Sequence, residues 1–135
     1  AIVSVDVRHI GLAERPDLPR TPEFMLYSGR ILPGLPATEY AVFVERAGAG
    51  EVLCQSIERD GTMKGYDLDA LKAVAAAVSI PVIASGGAGK YEDLLLAIQA
   101  GHASAVAAAS IFHFTELTPL GAKDFLLRHG VPVRR

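Results

Sequence analysis

The sequence predicts an α/β fold in which parallel strands alternate with helices. Short runs rich in β-branched and apolar residues occur at residues 1–7, 51–57, 81–85 and 104–109. Apolar residues then recur at helical spacing at residues 38–47, 68–78, 91–100 and 119–128. The first set of runs is apolar on both parities, which is typical of strands covered on both faces. We therefore expect a parallel sheet.

The predicted elements are joined by connections of unequal length. Asp67 is placed to cap the second helix. A long connection at residues 8–36 separates the first strand from the first helix, and its prolines predict a first half without regular structure. A short extended piece is expected at residues 23–28. Connections of this length in compact domains are usually functional or mobile.

Composition narrows the class of protein. The chain has 135 residues, half of them hydrophobic, which suits one domain over residues 1–135. Its formal charge of -2 gives no indication of the basic surface that binds nucleic acid or an anionic membrane. Cys54 is a single cysteine, and no Cys or His lies at a metal-ligand spacing from it. We expect no metal, no cofactor, no membrane span and a cytoplasmic location. The chain begins without Met inside an apolar run, which indicates a piece of something longer.

Two loops after predicted strands have the composition of an anion site. Residues 56–67 form a polar loop with two glycines, which either holds a ligand or simply connects two elements. Residues 85–89 read Ser-Gly-Gly-Ala-Gly between a strand and a helix, an arrangement that places N–H groups around a phosphate. Ala109 and Ser110 follow the next strand. The pair of loops resembles the phosphate site of (β/α)8 barrels.

Asp6 is the leading candidate for proton transfer. It falls where the first strand is expected to end, on the same face as Ser4 and Ile2. A cap for the following turn is the competing interpretation. Glu51 and Gln55 share a parity on the second strand and are expected to face a barrel interior, and Glu51 needs a partner there.

The motifs together resemble one family. They are Val-Asp-Val-Arg at 5–8, Tyr-Ser-Gly at 27–29, Gly-Ala-Gly-Glu at 48–51, the Asp-Gly-Thr and Gly-Tyr-Asp loop at 56–67, and the strings at 83–90 and 107–114. Over nearly its whole length the chain resembles the carboxyl-terminal half of the cyclase subunit of imidazole glycerol phosphate synthase, a histidine-biosynthesis (β/α)8 barrel. The resemblance implies a (βα)4 half of a TIM-type barrel with parallel strands.

The resemblance also implies an activity. In the family, ammonia from a partner glutaminase reacts with a phosphorylated ribonucleotide, phosphoribulosyl formimino aminoimidazole carboxamide ribonucleotide. The products are imidazole glycerol phosphate and aminoimidazole carboxamide ribonucleotide. Asp6 matches a catalytic general acid/base, and Glu51 matches the charged ring through which ammonia enters. The residues that match phosphate or substrate contacts are Ser28, Asp60, Gly61, Gly87, Ala109 and Ser110.

Three differences from the family's pattern leave alternative functions open. The other barrel half is absent, so an isolated half is not expected to run the reaction, and it should associate with the missing half or form a dimer. Gln55 stands where the family usually has Thr, and the connection after Arg8 is long and rich in proline. These features also fit a specialised homologue that aminates a nucleotide-sugar or surface sugar. A non-catalytic phosphate-binding half-barrel is the remaining alternative.

Overall fold

The strands lie side by side in the order β2-β1-β3-β4-β5. A computed structural model of the protein describes residues 1–9, 22–25 and 34–134. Within them the strands are β1 (Ile2–His9), β2 (Pro22–Met25), β3 (Glu51–Ser56), β4 (Val82–Ser85) and β5 (Ala105–Val106). The helices are α1 (Ala37–Arg46), α2 (Leu68–Ala77), α3 (Tyr91–Gln99), α4 (Ser110–His113) and α5 (Pro119–Arg128).

Four of these strands form the parallel sheet that the sequence predicts. β1 pairs with β3, β3 with β4 and β4 with β5, all in parallel. A helix follows each of the last three, and α1 stands between β1 and β3. The fold class is therefore confirmed as the α/β half of a (β/α)8 barrel.

The boundaries of the sheet differ from the predicted ones. β1 continues to His9, because residues 6–9 pair with the antiparallel strand β2 at residues 25–22. The outer edge of β1 is therefore paired over that stretch. The last strand is only Ala105–Val106, and the residues after it turn into the unpredicted short helix α4.

The two faces of the sheet differ in burial. Val5, Val52 and Val82 are almost completely buried and belong to one apolar cluster with residues of the helices, such as Val74. Burial of this face supplies the main driving force for packing the helices on the sheet. Cys54 lies on the same face and is buried, as its parity predicts.

The opposite face, called the open face here, consists of residues 2, 4 and 6 of β1, 51, 53 and 55 of β3, and 83 and 85 of β4. Each of these is at least partly exposed, and 59% of Ile2 is accessible. The face carries both polar and apolar side chains. In a closed barrel this is the face that lines the interior.

Helix α2 begins as the sequence predicts. Asp67 is its N-cap, and its Oδ1 accepts a hydrogen bond of 3.1 Å from the N–H of Ala70. This satisfies one of the N–H groups that a helix start leaves unpaired.

Among the described helices, none is both long enough and apolar enough to cross a membrane.

Candidate functional site

A cavity of about 160 Å³ lies at the carboxyl ends of β4 and β5. It is formed by three loops, which follow β3, β4 and β5. The residues that line it are Asp60, Ser85, Gly86, Gly87, Ala88, Ala107, Ala108, Ala109 and Ser110. Of the described residues that match phosphate contacts, Asp60, Gly87, Ala109 and Ser110 line this cavity, whereas Gly61 does not.

The loop after β4 needs its glycines. Gly86 and Gly87 have φ angles of +87° and +113°, a region that other residues rarely adopt. A Cβ on Gly86 would stand 2.6 Å from the carbonyl oxygen of Ser56, and one on Gly87 would overlap the carbonyl oxygen of Gly65. The two glycines therefore allow the β4 loop to lie directly against the β3 loop.

Hydrogen bonds hold the three loops together. The N–H of Gly65 donates to the carbonyl oxygen of Gly87 at 2.8 Å, and the hydroxyl of Tyr66 donates to the carbonyl oxygen of Ala107 at 2.8 Å. Tyr66 is buried, and burial, with a smaller contribution from Asp93, raises the pKa of its hydroxyl. The hydroxyl therefore stays protonated and keeps its role as a donor.

Backbone N–H groups are donors that the cavity offers beside the hydroxyls of Ser85 and Ser110, which also line it. Among the described residues, those of residues 86–88 and 108–110 have no hydrogen-bond acceptor. Both runs line the cavity. Unpaired N–H groups gathered around one point form the kind of site that holds a phosphate or another oxyanion.

The charges around the cavity are unusual for an anion site. Among the described residues that line it, Asp60 is the only charged one. Arg59 and Lys64 border a separate depression of about 330 Å³, and Arg59 Nη1 lies 3.4 Å from the carbonyl oxygen of Gly65. A carboxylate repels an anion, so neutral backbone donors have to supply most of the attraction. Among the described residues, no group of three His, Cys, Asp or Glu side chains is placed to hold a metal ion.

Asp6 lies on the open face, within β1 rather than at its end as predicted. Its Oδ1 accepts a hydrogen bond of 2.9 Å from Ser4 Oγ, and its side chain is partly exposed. Asp6 is in register with Gln55, which is in register with Ser85. Ser85 lines the cavity, so the Asp6 carboxylate and the cavity lie at the same level along the strand direction. Two strand spacings, about 10 Å, separate them.

Glu51 lies at the other end of the open face. It is the first residue of β3, in register with Ile2 and partly buried. Gln55 is four positions further along β3, which corresponds to about 13 Å along the strand. Ser28, the remaining predicted contact, lies outside the described residues.

The sequence did not predict a set of polar contacts that joins the end of β1 to the loop after β3. His9 Nε2 lies 2.7 Å from Asp67 Oδ2, and the backbone N–H of His9 donates to Glu58 Oε2 at 3.1 Å. Arg8 Nε also lies 3.5 Å from Glu58 Oε1. His9 and Asp67 are 58 residues apart. His9 ends β1 and Asp67 begins α2 after the adjacent strand β3, and this topology is the only signal that they meet.

Comparison with known proteins gives consistent matches. A family model described as histidine biosynthesis protein matches residues 1–118. An imidazole glycerol phosphate synthase subunit HisF from Hyphomonas neptunium is 47% identical over 133 residues, covering 98% of this chain and 50% of that protein. The subunit of the same name from Solidesulfovibrio magneticus is 44% identical, covering 98% and 51%. The chain spans about half the length of these relatives.

Proposed function

Because the chain belongs to the histidine biosynthesis protein family, we propose that it forms one half of an ammonia-dependent cyclase of the imidazole glycerol phosphate synthase type. Ammonia joins phosphoribulosyl formimino aminoimidazole carboxamide ribonucleotide, which yields imidazole glycerol phosphate and aminoimidazole carboxamide ribonucleotide. The observation that carries the proposal is the register of Asp6 with Ser85, which puts a carboxylate and an anion cavity on one end of the sheet.

The cavity holds one phosphate of the substrate. Residues 86–88 and 108–110, which include Gly87, Ala109 and Ser110, supply N–H donors from two loops. Asp60 lines the cavity and Gly61 follows it, at a φ of +76°. Backbone donors are fixed by the fold, so phosphate binding needs little rearrangement. Ser28 contributes from the loop that lies outside the described residues.

Asp6 acts as the general acid/base of this half. Its carboxylate is positioned by the hydrogen bond from Ser4 and is open to a ligand on the open face. A carboxylate that is both positioned and accessible is suited to accept and return protons during ring closure. The resemblance supports the same role, because Asp6 falls on the family's catalytic aspartate.

Glu51 acts at the entrance for ammonia. It stands at the amino end of β3, on the same face as Asp6 but at the opposite end of the strand from the cavity. Ammonia that enters beside Glu51 meets the substrate after crossing about 13 Å of the open face. A glutaminase subunit docked at this end supplies it.

Residues 1–135 form one half-barrel domain that needs a partner to cover the open face. Ile2 is 59% exposed there, and Leu53 and Ile83 are only partly buried. Covering these side chains and the edge of β5 favours association with the other barrel half, or with a second copy of the chain when that half is missing. Gel filtration of residues 1–135 alone should give a dimer or larger species, and a stable monomer would contradict this.

The assay that tests the function uses the full-length protein with ammonium and the proposed ribonucleotide. Both products should form at equal rates. Residues 1–135 alone should give no turnover, because each half of the family's barrel supplies one of the two phosphate sites and one of the two catalytic aspartates. If the full-length protein formed neither product but aminated a nucleotide-sugar, the sugar-modifying alternative would replace this proposal.

A further inference from the structure

One side of helix α1 faces away from the sheet and combines apolar with charged side chains. The helix buries its other side, through Ala37, Ala41 and Val44. With about 3.6 residues per turn, the side opposite to these consists of Glu39, Val42, Phe43 and Arg46. This set is called the outer face of α1 here. Because Phe43 is 63% exposed, the outer face presents a large aromatic side chain to solvent.

The outer face borders a groove of about 460 Å³ between α1 and α2. Thr38 and Ala77 line the groove together with all four residues of the outer face. In a closed barrel the helices form the outer ring, so the groove stays open when the other barrel half is present. It is thus separate from the open face of the sheet, which the other half covers. An exposed aromatic side chain that borders a groove is typical of a docking surface.

The charges of the outer face are placed symmetrically about its apolar centre. Glu39 lies three residues before Val42, and Arg46 lies three residues after Phe43. Two helical turns, about 10 Å, separate the two charged residues, which is too far for them to pair with each other. Among the described residues, neither Glu39 nor Arg46 forms a salt bridge. Both charges are therefore available to a partner.

A second copy of α1, lying antiparallel to the first, matches this arrangement. Around a two-fold axis that passes between Val42 and Phe43, Glu39 of each copy lies opposite Arg46 of the other. Phe43 of each copy then packs against Val42 of the other and is removed from water. Because such an interface uses the same patch twice, it contains two ion pairs and two apolar contacts.

We propose that two copies of the full-length protein dock through the outer face of α1, with Phe43 at the centre and Glu39 opposite Arg46 across the two-fold axis. This inference does not rest on the proposed function. It also differs from the association of isolated halves, which takes place through the open face. The patch is one helix wide, so the dimer is weak, because interfaces below about 1,200 Å² give transient complexes.

Sedimentation velocity of the full-length protein at concentrations from about 1 µM to 1 mM measures this association. The unaltered protein should pass from monomer to dimer over that range. Phe43→Glu should remain a monomer, because it places two carboxylates near the two-fold axis. The matched control is Leu120→Glu, which changes a side chain that is 70% exposed at the start of α5 and should leave the dimer intact.

A charge exchange tests the antiparallel arrangement itself. Glu39→Arg alone, or Arg46→Glu alone, places like charges opposite each other twice and should weaken the dimer roughly three- to thirtyfold. The double variant that carries both changes restores the two pairs with reversed polarity and should dimerise like the unaltered protein. Single variants that dimerise normally, or a double variant that does not recover, would overturn the antiparallel arrangement.

Two further results would overturn the docking surface as a whole. One is an unaltered full-length protein that stays monomeric over the entire concentration range. The other is a Phe43→Glu variant that dimerises as the unaltered protein does. Urea unfolding of each variant shows that a loss of dimer does not come from a loss of folding, since all three positions are exposed and should leave the free energy of unfolding nearly unchanged.

Discussion

The hydroxyl of Tyr66 and the carbonyl oxygen of Ala107 are joined by a hydrogen bond of 2.8 Å across two loops. Ala107 lines the cavity, whereas Tyr66 does not. Tyr66 is 3% exposed, so the bond is formed away from solvent. The shape of the candidate phosphate site therefore depends on a buried side chain outside it.

Replacing Tyr66→Phe should weaken phosphate binding. Without the hydroxyl, the carbonyl of Ala107 loses a buried donor, and the loop that carries residues 108–110 becomes free to shift. We expect the affinity for inorganic phosphate to fall about three- to tenfold, measured by calorimetry on the full-length protein. The free energy of unfolding should fall by about 1 kcal/mol.

The matched control is Tyr91→Phe. The hydroxyl of Tyr91 donates to the carbonyl oxygen of Thr118 at 3.0 Å and accepts from the N–H of Thr118 at 2.9 Å, and neither residue lines the cavity. This variant should lose at least as much stability as Tyr66→Phe and bind phosphate normally. Equal phosphate affinity in the two variants would show that the Tyr66 bond supports only stability.

Replacing Gly87→Ala should lower the affinity for phosphate more than replacing Gly48→Ala, although both changes strain the backbone to a similar degree. Gly87 and Gly48 both have positive φ, at +113° and +97°, so alanine is strained at either position by about 1–2 kcal/mol. Only Gly87 adds overlap, with the carbonyl oxygen of Gly65, whereas nothing lies within 4 Å of a Cβ on Gly48.

Phosphate titration of the two glycine variants distinguishes strain from overlap. Gly87→Ala should lose most of its phosphate affinity, because the β4 loop has to move away from the β3 loop. Gly48→Ala should retain it. Normal binding by Gly87→Ala would mean that the loop contact does not shape the cavity.

Replacing Asp67→Ala should destabilise the protein more than the loss of an ordinary helix cap. Asp67 caps α2 and also contacts His9 Nε2 at 2.7 Å, whereas Thr118 caps α5 by accepting from the N–H of Gly121. We expect about 1 kcal/mol for Thr118→Ala and about 2–3 kcal/mol for Asp67→Ala, in urea unfolding. Equal losses would indicate that the pair with His9 contributes no stability.

The thiol of Cys54 should make the free energy of unfolding depend on pH in the alkaline range. Burial, with a smaller contribution from Asp67, raises the pKa of its thiol from 9.0 to about 12. Above pH 9 the unfolded chain loses this proton and the folded chain keeps it. The free energy of unfolding should therefore fall with rising pH between 9 and 12, by up to about 1.4 kcal/mol per pH unit.

A Cys54→Ala variant isolates that contribution. Urea unfolding of both proteins at pH 8 and pH 10 gives the pH-dependent loss of each. The unaltered protein should lose about 1 kcal/mol more than the variant over this interval. Equal losses would show that the thiol has the same pKa in the folded and unfolded states.

The sequence predicts the repeating architecture well because local patterns determine it. Asp67 marks the start of α2, and the glycines at 86 and 87 mark a loop that needs positive φ. The pairing of residues 6–9 with β2 was not predictable from periodicity, because it depends on contacts between strands. Helix α4 was missed because its four residues are too few to show a helical period.

The candidate site was predictable in outline and less so in detail. The carboxyl ends of parallel strands meet at one edge, so the grouping of the β4 and β5 loops follows from topology alone. The position of Gly61 outside the cavity and the contact of His9 with Asp67 depend on how the β3 loop folds. No local pattern in that loop specifies either feature.

Turnover of an Asp6→Asn variant tests the central claim most directly. The amide keeps the size of the side chain and can still bond Ser4, but it cannot accept and return a proton. In the full-length protein with ammonium, turnover should fall by roughly 10²–10⁴, while the affinity for inorganic phosphate is unchanged. Normal ammonium-dependent turnover by Asp6→Asn would contradict the assignment of Asp6 as the general acid/base.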